Sequence, residues 1–139
     1  MRDDHLTTGR LARASGVTAE TIRYYEQRKL LNCPPRTESG YRLYPGDSVR
    51  RIRFIRHAQR LGFTLDEIAE LLALRADPKR SCADVKRRAE RKIADIGSRI
   101  AALKRMRRAL VAISASCEGA GSRSDCPILD ALDRDEEQS

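Results

Sequence analysis

Apolar residues recur along this chain at helical spacing, with glycine, proline and polar residues marking the breaks. Thr7 to Ala14 has helical spacing at Leu11 and Ala14 and stops at Ser15-Gly16. Thr18 is placed to cap a second helix running to about Lys29, with Ile22 and Tyr25 on its buried side. Helix, glycine turn and helix within about 20 residues is the helix-turn-helix pattern. From Cys33 to Pro45 the helical pattern is lost. Prolines bound the segment, Gly40 permits a turn, and Tyr41 and Leu43 alternate with Arg42 and Tyr44. These features predict a short hairpin, or wing, presenting Arg36 and Arg42. Asp47 is expected to cap a third helix that runs through Ile52, Phe54 and Ile55 to Leu61-Gly62. Thr64-Leu65-Asp66-Glu67 reads as a capping box opening a fourth helix through Ile68, Leu71 and Leu72, ended by Asp77-Pro78.

A long helix is predicted from Ser81. Cys82, Ala89, Ile96, Leu103, Leu110 and Cys117 recur every seven residues, and Ile93 and Ile100 fill the alternate positions. Lys86 and Arg107 share that alternate register at the seam's ends, while Val85, Met106 and Ile113 widen the stripe. This is a coiled-coil seam with its most apolar stretch at the centre. A helix packed only on its own domain fits poorly with so long a stripe in so short a chain. Gly97 costs helix propensity and permits close backbone approach. Glu118 to Ser124 reads as a Gly/Ser loop, Pro127–Leu132 as one more helical turn, and 133–139 as a disordered acidic tail. The expected divisions are a winged helix-turn-helix domain at 5–74, a dimerisation coiled coil at 81–116, and a metal-binding loop with a short helix at 117–132.

Composition adds a need for partners. The 139 residues suffice for one small domain plus an appended helix. Aromatics are 4% and charged residues 35%, so part of the apolar surface is expected to be buried against another chain. The net charge of +8 is uneven: residues 1–63 carry 13 Lys/Arg against 6 Asp/Glu, whereas 117–139 carry 2 against 7. A basic body suits a polyanion, although a merely solvated basic surface is the plainer alternative. No apolar run approaches the ~20 residues that span a bilayer, and Met1–Asp4 does not open a signal peptide. A cytoplasmic protein is expected, with four reduced cysteines suited to metal or redox chemistry.

The candidate DNA-reading residues lie on the second helix and the wing. Arg23 and Tyr24 fall on the exposed side if Ile22 and Tyr25 face inward; an Arg there can reach guanine edges or phosphates, and a Tyr hydroxyl a phosphate. Thr18 and Thr21 stand at the start of that helix, and Arg36, Tyr41 and Arg42 are placed to grip the backbone beside it.

The candidate effector site is built of thiols. Cys82 and Cys117 are 35 positions apart, which is five heptads and one helix face. On one continuous helix they would stand roughly 52 Å apart, so they cannot share a ligand within a chain. If two copies pair antiparallel about a point between Arg99 and Ile100, residue i lies opposite residue 199 − i. Cys82 then meets Cys117 of the partner, with Cys126 nine residues further on. Three thiolates make a soft site suited to Hg(II), Pb(II), Cd(II), Zn(II) or Cu(I), not to Mg²⁺ or Ca²⁺. With no histidine nearby, tetrahedral zinc lacks an obvious fourth ligand, and a trigonal thiolate site fits Hg(II) or Pb(II) better. Cys82 and Cys117 would also serve as small apolar seam residues. Cys126 lacks that explanation, and Cys33 is taken as structural. A redox regulator using Cys117 and Cys126 is an alternative that leaves Cys82 unexplained. An enzyme is not expected, since there is no Cys-x-x-Cys motif and no histidine beside a thiol.

The residues resemble the MerR family of metal-responsive transcription regulators. The resemblance rests on Ala12-Arg13-Ala14-Ser15-Gly16-Val17, Glu20-Thr21-Ile22-Arg23-Tyr24-Tyr25-Glu26, Gly40-Tyr41-Arg42-Leu43-Tyr44 and Gln59-Arg60-Leu61-Gly62-Phe63-Thr64-Leu65-Asp66-Glu67-Ile68. It covers residues 5 to about 132, and the cysteine pattern closing on Cys126-Pro127 most resembles the mercury-responsive branch. Copper and silver sensors of the family usually lack a cysteine at the position of Cys82, zinc sensors usually carry further ligands in the loop, and lead and cadmium sensors have similar three-cysteine patterns. The resemblance implies a mainly α fold and a homodimer on double-stranded promoter DNA. It further implies a palindromic operator between overspaced −35 and −10 elements. Metal binding would distort that DNA and realign the elements for RNA polymerase.

Overall fold

In a computed structural model describing residues 5–134, the chain forms β1 (Leu6–Thr7), α1 (Thr8–Ser15), α2 (Ala19–Gln27), β2 (Leu43–Tyr44), α3 (Asp47–Arg60), α4 (Leu65–Ala76) and α5 (Cys82–Ala115). A 3-10 turn (Arg123–Asp125) and α6 (Pro127–Asp133) follow. Of the acidic tail expected at 133–139, residues 135–139 lie outside the described residues, and Asp133 closes α6. Contacts divide the chain within α5, into one unit ending at Lys92 and another beginning at Ile93. No helix among the described residues is long and apolar enough to cross a membrane.

The first unit is mainly helical and is closed by local chemistry at each helix end. Thr7 caps α1, Thr18 caps α2, and Thr64 with Glu67 forms the expected reciprocal capping box on α4. Three helices end in the same left-handed motif. Gly16 (φ 72°), Lys29 (φ 61°) and Gly62 (φ 97°) each turn the chain, and the residue after each donates back to the helix: Val17 to Ala12, Leu30 to Tyr25, Phe63 to Ala58. At Gly16 a Cβ would also sit 3.0 Å from Arg56 Nη1, which bonds the Ser15 carbonyl at 3.0 Å.

The core gathers Leu11, Ile22, Tyr25, Leu30, Tyr44, Ile52, Ile55, Ile68 and Leu72 from α1 to α4 and β2. Ile22 and Tyr25 are buried as expected. Ala14 is not: α1 turns Leu11, Ala12 and Ser15 inward, and Ala14 falls to the exposed side. Asp47 is not the cap of α3. Gly46 takes that position without a side-chain bond, and Ser48 and Val49 donate to the carbonyls of Pro45 and Gly46. Asp47 is already the first helical residue, where its carboxylate favours the positive helix end.

The wing is a hairpin held by one bridge, Arg36 opposite Arg42. Its strand β2 pairs antiparallel with β1, Leu6 opposite Tyr44 and Thr7 opposite Leu43. Pro34 and Pro35 have no N–H to extend a ladder inside the hairpin, so the returning strand finds its donor elsewhere.

The first turns of α5 belong to this unit. Val85 and Ala89 line an apolar cavity of about 490 Å³ with Phe54, Leu61, Phe63 and Leu71. Arg88 pairs with Glu70, and buried Lys92 pairs with Glu67 at 2.8 Å and lies over the Phe63 ring. The start of the helix thus does pack on its own domain, in departure from the expectation for the stripe as a whole. In the second unit Ile93, Ile100, Leu103, Met106 and Leu110 are all exposed.

Candidate nucleic-acid interface and effector thiols

Four of the residues expected to read DNA meet in one groove. Arg23 from α2 and Arg36, Tyr41 and Arg42 from the wing line it, with Thr7, Thr8 and Gly9 at the start of α1. Arg23 projects because Ile22 and Tyr25 are locked inward; the Tyr25 hydroxyl donates to Gln59 Oε1 at 2.9 Å, and burial raises its pKa. The wing stands beside α2 because Tyr44 is buried and its hydroxyl donates to Glu26 on α2. Desolvation, then that bond, pushes the Tyr44 pKa up to about 12.

Both wing arginines also hold the wing together. Arg36 Nη1 donates to the Gly40 carbonyl at 2.9 Å, and Arg42 Nη1 to the Pro34 carbonyl at 2.6 Å. Each guanidinium has five N–H donors, so these bonds orient it without exhausting it. Thr18 and Thr21 are tied to the helix start: Thr18 Oγ1 accepts from the Thr21 N–H at 3.1 Å, and the two hydroxyls stand 3.0 Å apart.

Tyr24 does not line the groove with Arg23. It is exposed on α2, with the Arg28 guanidinium 5.9 Å over its ring and Arg28 Nη1 donating to its hydroxyl at 3.0 Å. Arg28 escaped the sequence reading. Its four-residue offset from Tyr24 was a visible signal, but its other partner, Asp66, is 38 positions away.

Cys82 is exposed as the first residue of α5. Cys117 follows the end of that helix and Cys126 precedes α6; both are half-buried. Cys117 Sγ accepts from the Gly119 N–H at 3.3 Å, and Gly119 reaches it with φ 85°. Among the described residues no three His, Cys, Asp or Glu side chains gather within a single chain. Cys33, taken as structural, is exposed.

Residues 6–74 match the family described as "MerR HTH family regulatory protein", and residues 49–113 match "MerR, DNA binding". The chain is 41% identical over 128 residues to the HTH-type transcriptional regulator ZntR of Escherichia coli K12, covering 91% of each chain. It is 42% identical over 122 residues to the HTH-type transcriptional regulator CueR of Salmonella typhimurium, covering 88% of each. Among solved structures it resembles the regulator PbrR691 of Ralstonia metallidurans in complex with lead(II), at TM-score 0.81 and 34% identity over 91% of this chain and 98% of that one. It also resembles MerR of Bacillus megaterium in complex with mercury(II), at TM-score 0.69 and 38% identity over 88% and 95%.

Proposed function

The chain belongs to the MerR family and is a metal-responsive, DNA-binding transcription regulator rather than an enzyme, and we propose that it acts as a homodimer whose effector is a thiophilic divalent ion, Hg(II) foremost. Cys82 of one subunit with Cys117 and Cys126 of the other would supply three thiolates, twice per dimer. What carries this reading is the apolar stripe of α5. It is exposed in the single chain and bounded at both ends by cysteines in the same seven-residue register.

Antiparallel pairing through that stripe removes its apolar surface from water and brings each Cys82 to the opposite loop. Three thiolates bind soft ions strongly. The donor set favours Hg(II) or Pb(II), which accept trigonal thiolate coordination, over tetrahedral Zn(II), which would need a fourth ligand. The relatives ZntR and CueR keep zinc and copper among the ions to be tested, together with Cd(II).

On the DNA side, Arg23, Arg36, Tyr41 and Arg42 would hold base edges and phosphates within one groove, Tyr24 would hold a phosphate, and Thr18 and Thr21 would flank them. A metal that binds one dimer state more tightly than the other shifts the population and so the distortion imposed on promoter DNA. RNA polymerase would respond to that distortion.

The test is complementation. A Cys82→Ala chain mixed with a Cys117→Ala/Cys126→Ala chain gives a heterodimer with one intact three-thiol site and one empty corner. Tight binding of one Hg(II) per heterodimer, with none to either homodimer, is the expected result. A heterodimer that holds no tight metal ends the shared-site proposal. Competitive titration of the wild-type dimer with Hg(II), Pb(II), Cd(II), Zn(II) and Cu(I) then ranks the effectors.

A further inference from the structure

We propose that Arg28 and Asp66 are positioning residues for DNA binding, acting by aiming the Tyr24 hydroxyl at a phosphate of the bound duplex. The inference rests on the reading above that Tyr24 meets the DNA backbone. Arg28 closes α2 and its guanidinium works as a fork: Nη1 donates to the Tyr24 hydroxyl at 3.0 Å and Nη2 to Asp66 Oδ1 at 2.8 Å. A tyrosine oxygen that accepts from a cation turns its own proton away from that cation. The bond also polarises the O–H into a stronger donor, the property a phosphate oxygen selects.

An arginine on a flexible stem would hold this geometry poorly by itself, because fixing its rotamers costs entropy. Asp66 supplies the second anchor. It sits in the first turn of α4, next to Glu67. Glu67 Oε1 accepts from the Thr64 N–H and from Lys92 Nζ, both at 2.8 Å. One helical turn therefore holds the end of α2 through Asp66 and, at Lys92, the third turn of α5 through Glu67.

The sign of the effect separates positioning from plain electrostatics. Removing the Asp66 carboxylate makes the protein more basic, which by charge alone strengthens attraction to a polyanion. Positioning requires weakening instead. Arg28→Lys also becomes informative, since one ammonium cannot reproduce the planar fork while keeping the charge.

The experiment is a double-mutant cycle on the intact dimer, read by fluorescence anisotropy with operator duplex at fixed salt. Thermal unfolding is followed in parallel. Tyr24→Phe is expected to weaken binding by about tenfold, the scale of one hydrogen bond to a charged group. Asp66→Asn and Arg28→Lys are each expected to weaken it about threefold in the wild-type background and not at all in the Tyr24→Phe background, with unchanged thermal midpoints. Tighter binding by Asp66→Asn, or an equal loss in both backgrounds, overturns the positioning role and leaves Tyr24 as a contact. No loss in Tyr24→Phe overturns the Tyr24 contact and this inference with it, and leaves the shared metal site untouched.

Discussion

The wholly buried leucines and isoleucines among the described residues all lie before Lys92. Before it, Leu11, Ile22, Ile52, Ile55 and Ile68 are wholly buried within one chain; beyond it, Ile93 is 66% exposed, Leu103 61% and Leu132 62%. Both regions are helical and both carry apolar stripes at helical spacing. The first region has short helices joined by tight turns, so several stripes converge on one another. The second carries a long stripe on α5 whose Ile93, Ile100, Leu103, Met106 and Leu110 are exposed. A contiguous apolar surface of this kind marks an association site. On the proposed reading the contrast separates tasks: the DNA-reading unit would complete itself, and the effector-binding unit would be completed by a second copy.

The contrast breaks most visibly at the seam. Leu103→Asp would place a carboxylate opposite the partner's stripe, a burial that is severely unfavourable unless paired. The variant is expected to be monomeric at micromolar concentration by analytical ultracentrifugation; a persistent dimer would remove the seam assignment. Ile52→Ala strikes the other region. It opens a cavity among wholly buried neighbours and is expected to cost roughly 2–5 kcal/mol, read by urea unfolding of the intact protein. A loss below that range would mean the core can collapse around the gap.

Acid should sharpen the comparison through Glu67. The hydrogen bond from Lys92, with the one from the Thr64 backbone, lowers the Glu67 pKa below the ordinary carboxylate value. A depressed folded-state pKa means stability that is present above the unfolded value and lost as pH falls through the folded one. Unfolding stability of the wild type is thus expected to fall more steeply below the ordinary glutamate range than that of Glu67→Gln. Parallel curves would show that the pair contributes nothing to the pH dependence. The smallest effect concerns Lys29, held at φ 61° where a Cβ is unwelcome. Lys29→Gly relieves that cost, and a gain of up to about 1 kcal/mol in unfolding free energy is expected. A loss would show that the lysine side chain compensates for its backbone.

What was legible in the sequence is what depends on near neighbours. Helix identity, the Thr18 and Thr64 caps, the Gly16 and Gly62 stops and the seven-residue seam all follow from spacings within one or two turns. The proposed pairing of Cys82 with Cys117 of a second copy rests on that same periodicity carried over five heptads. Arg23 could be named because Ile22 and Tyr25 fixed which face of α2 turns outward, and Arg36, Tyr41 and Arg42 because the prolines and Gly40 marked the wing, although their shared groove appears only once the wing is folded against α2. Tertiary structure alone decided the rest: that β2 pairs with β1, that Lys92 is buried against Glu67 and Phe63, and that Arg28 divides itself between Tyr24 and Asp66. Apart from the local Arg28–Tyr24 bond, each of those contacts joins residues far apart in the chain. Local propensity carries no information about such meetings, because they form only when packing of the whole domain repays the entropy of bringing distant segments together.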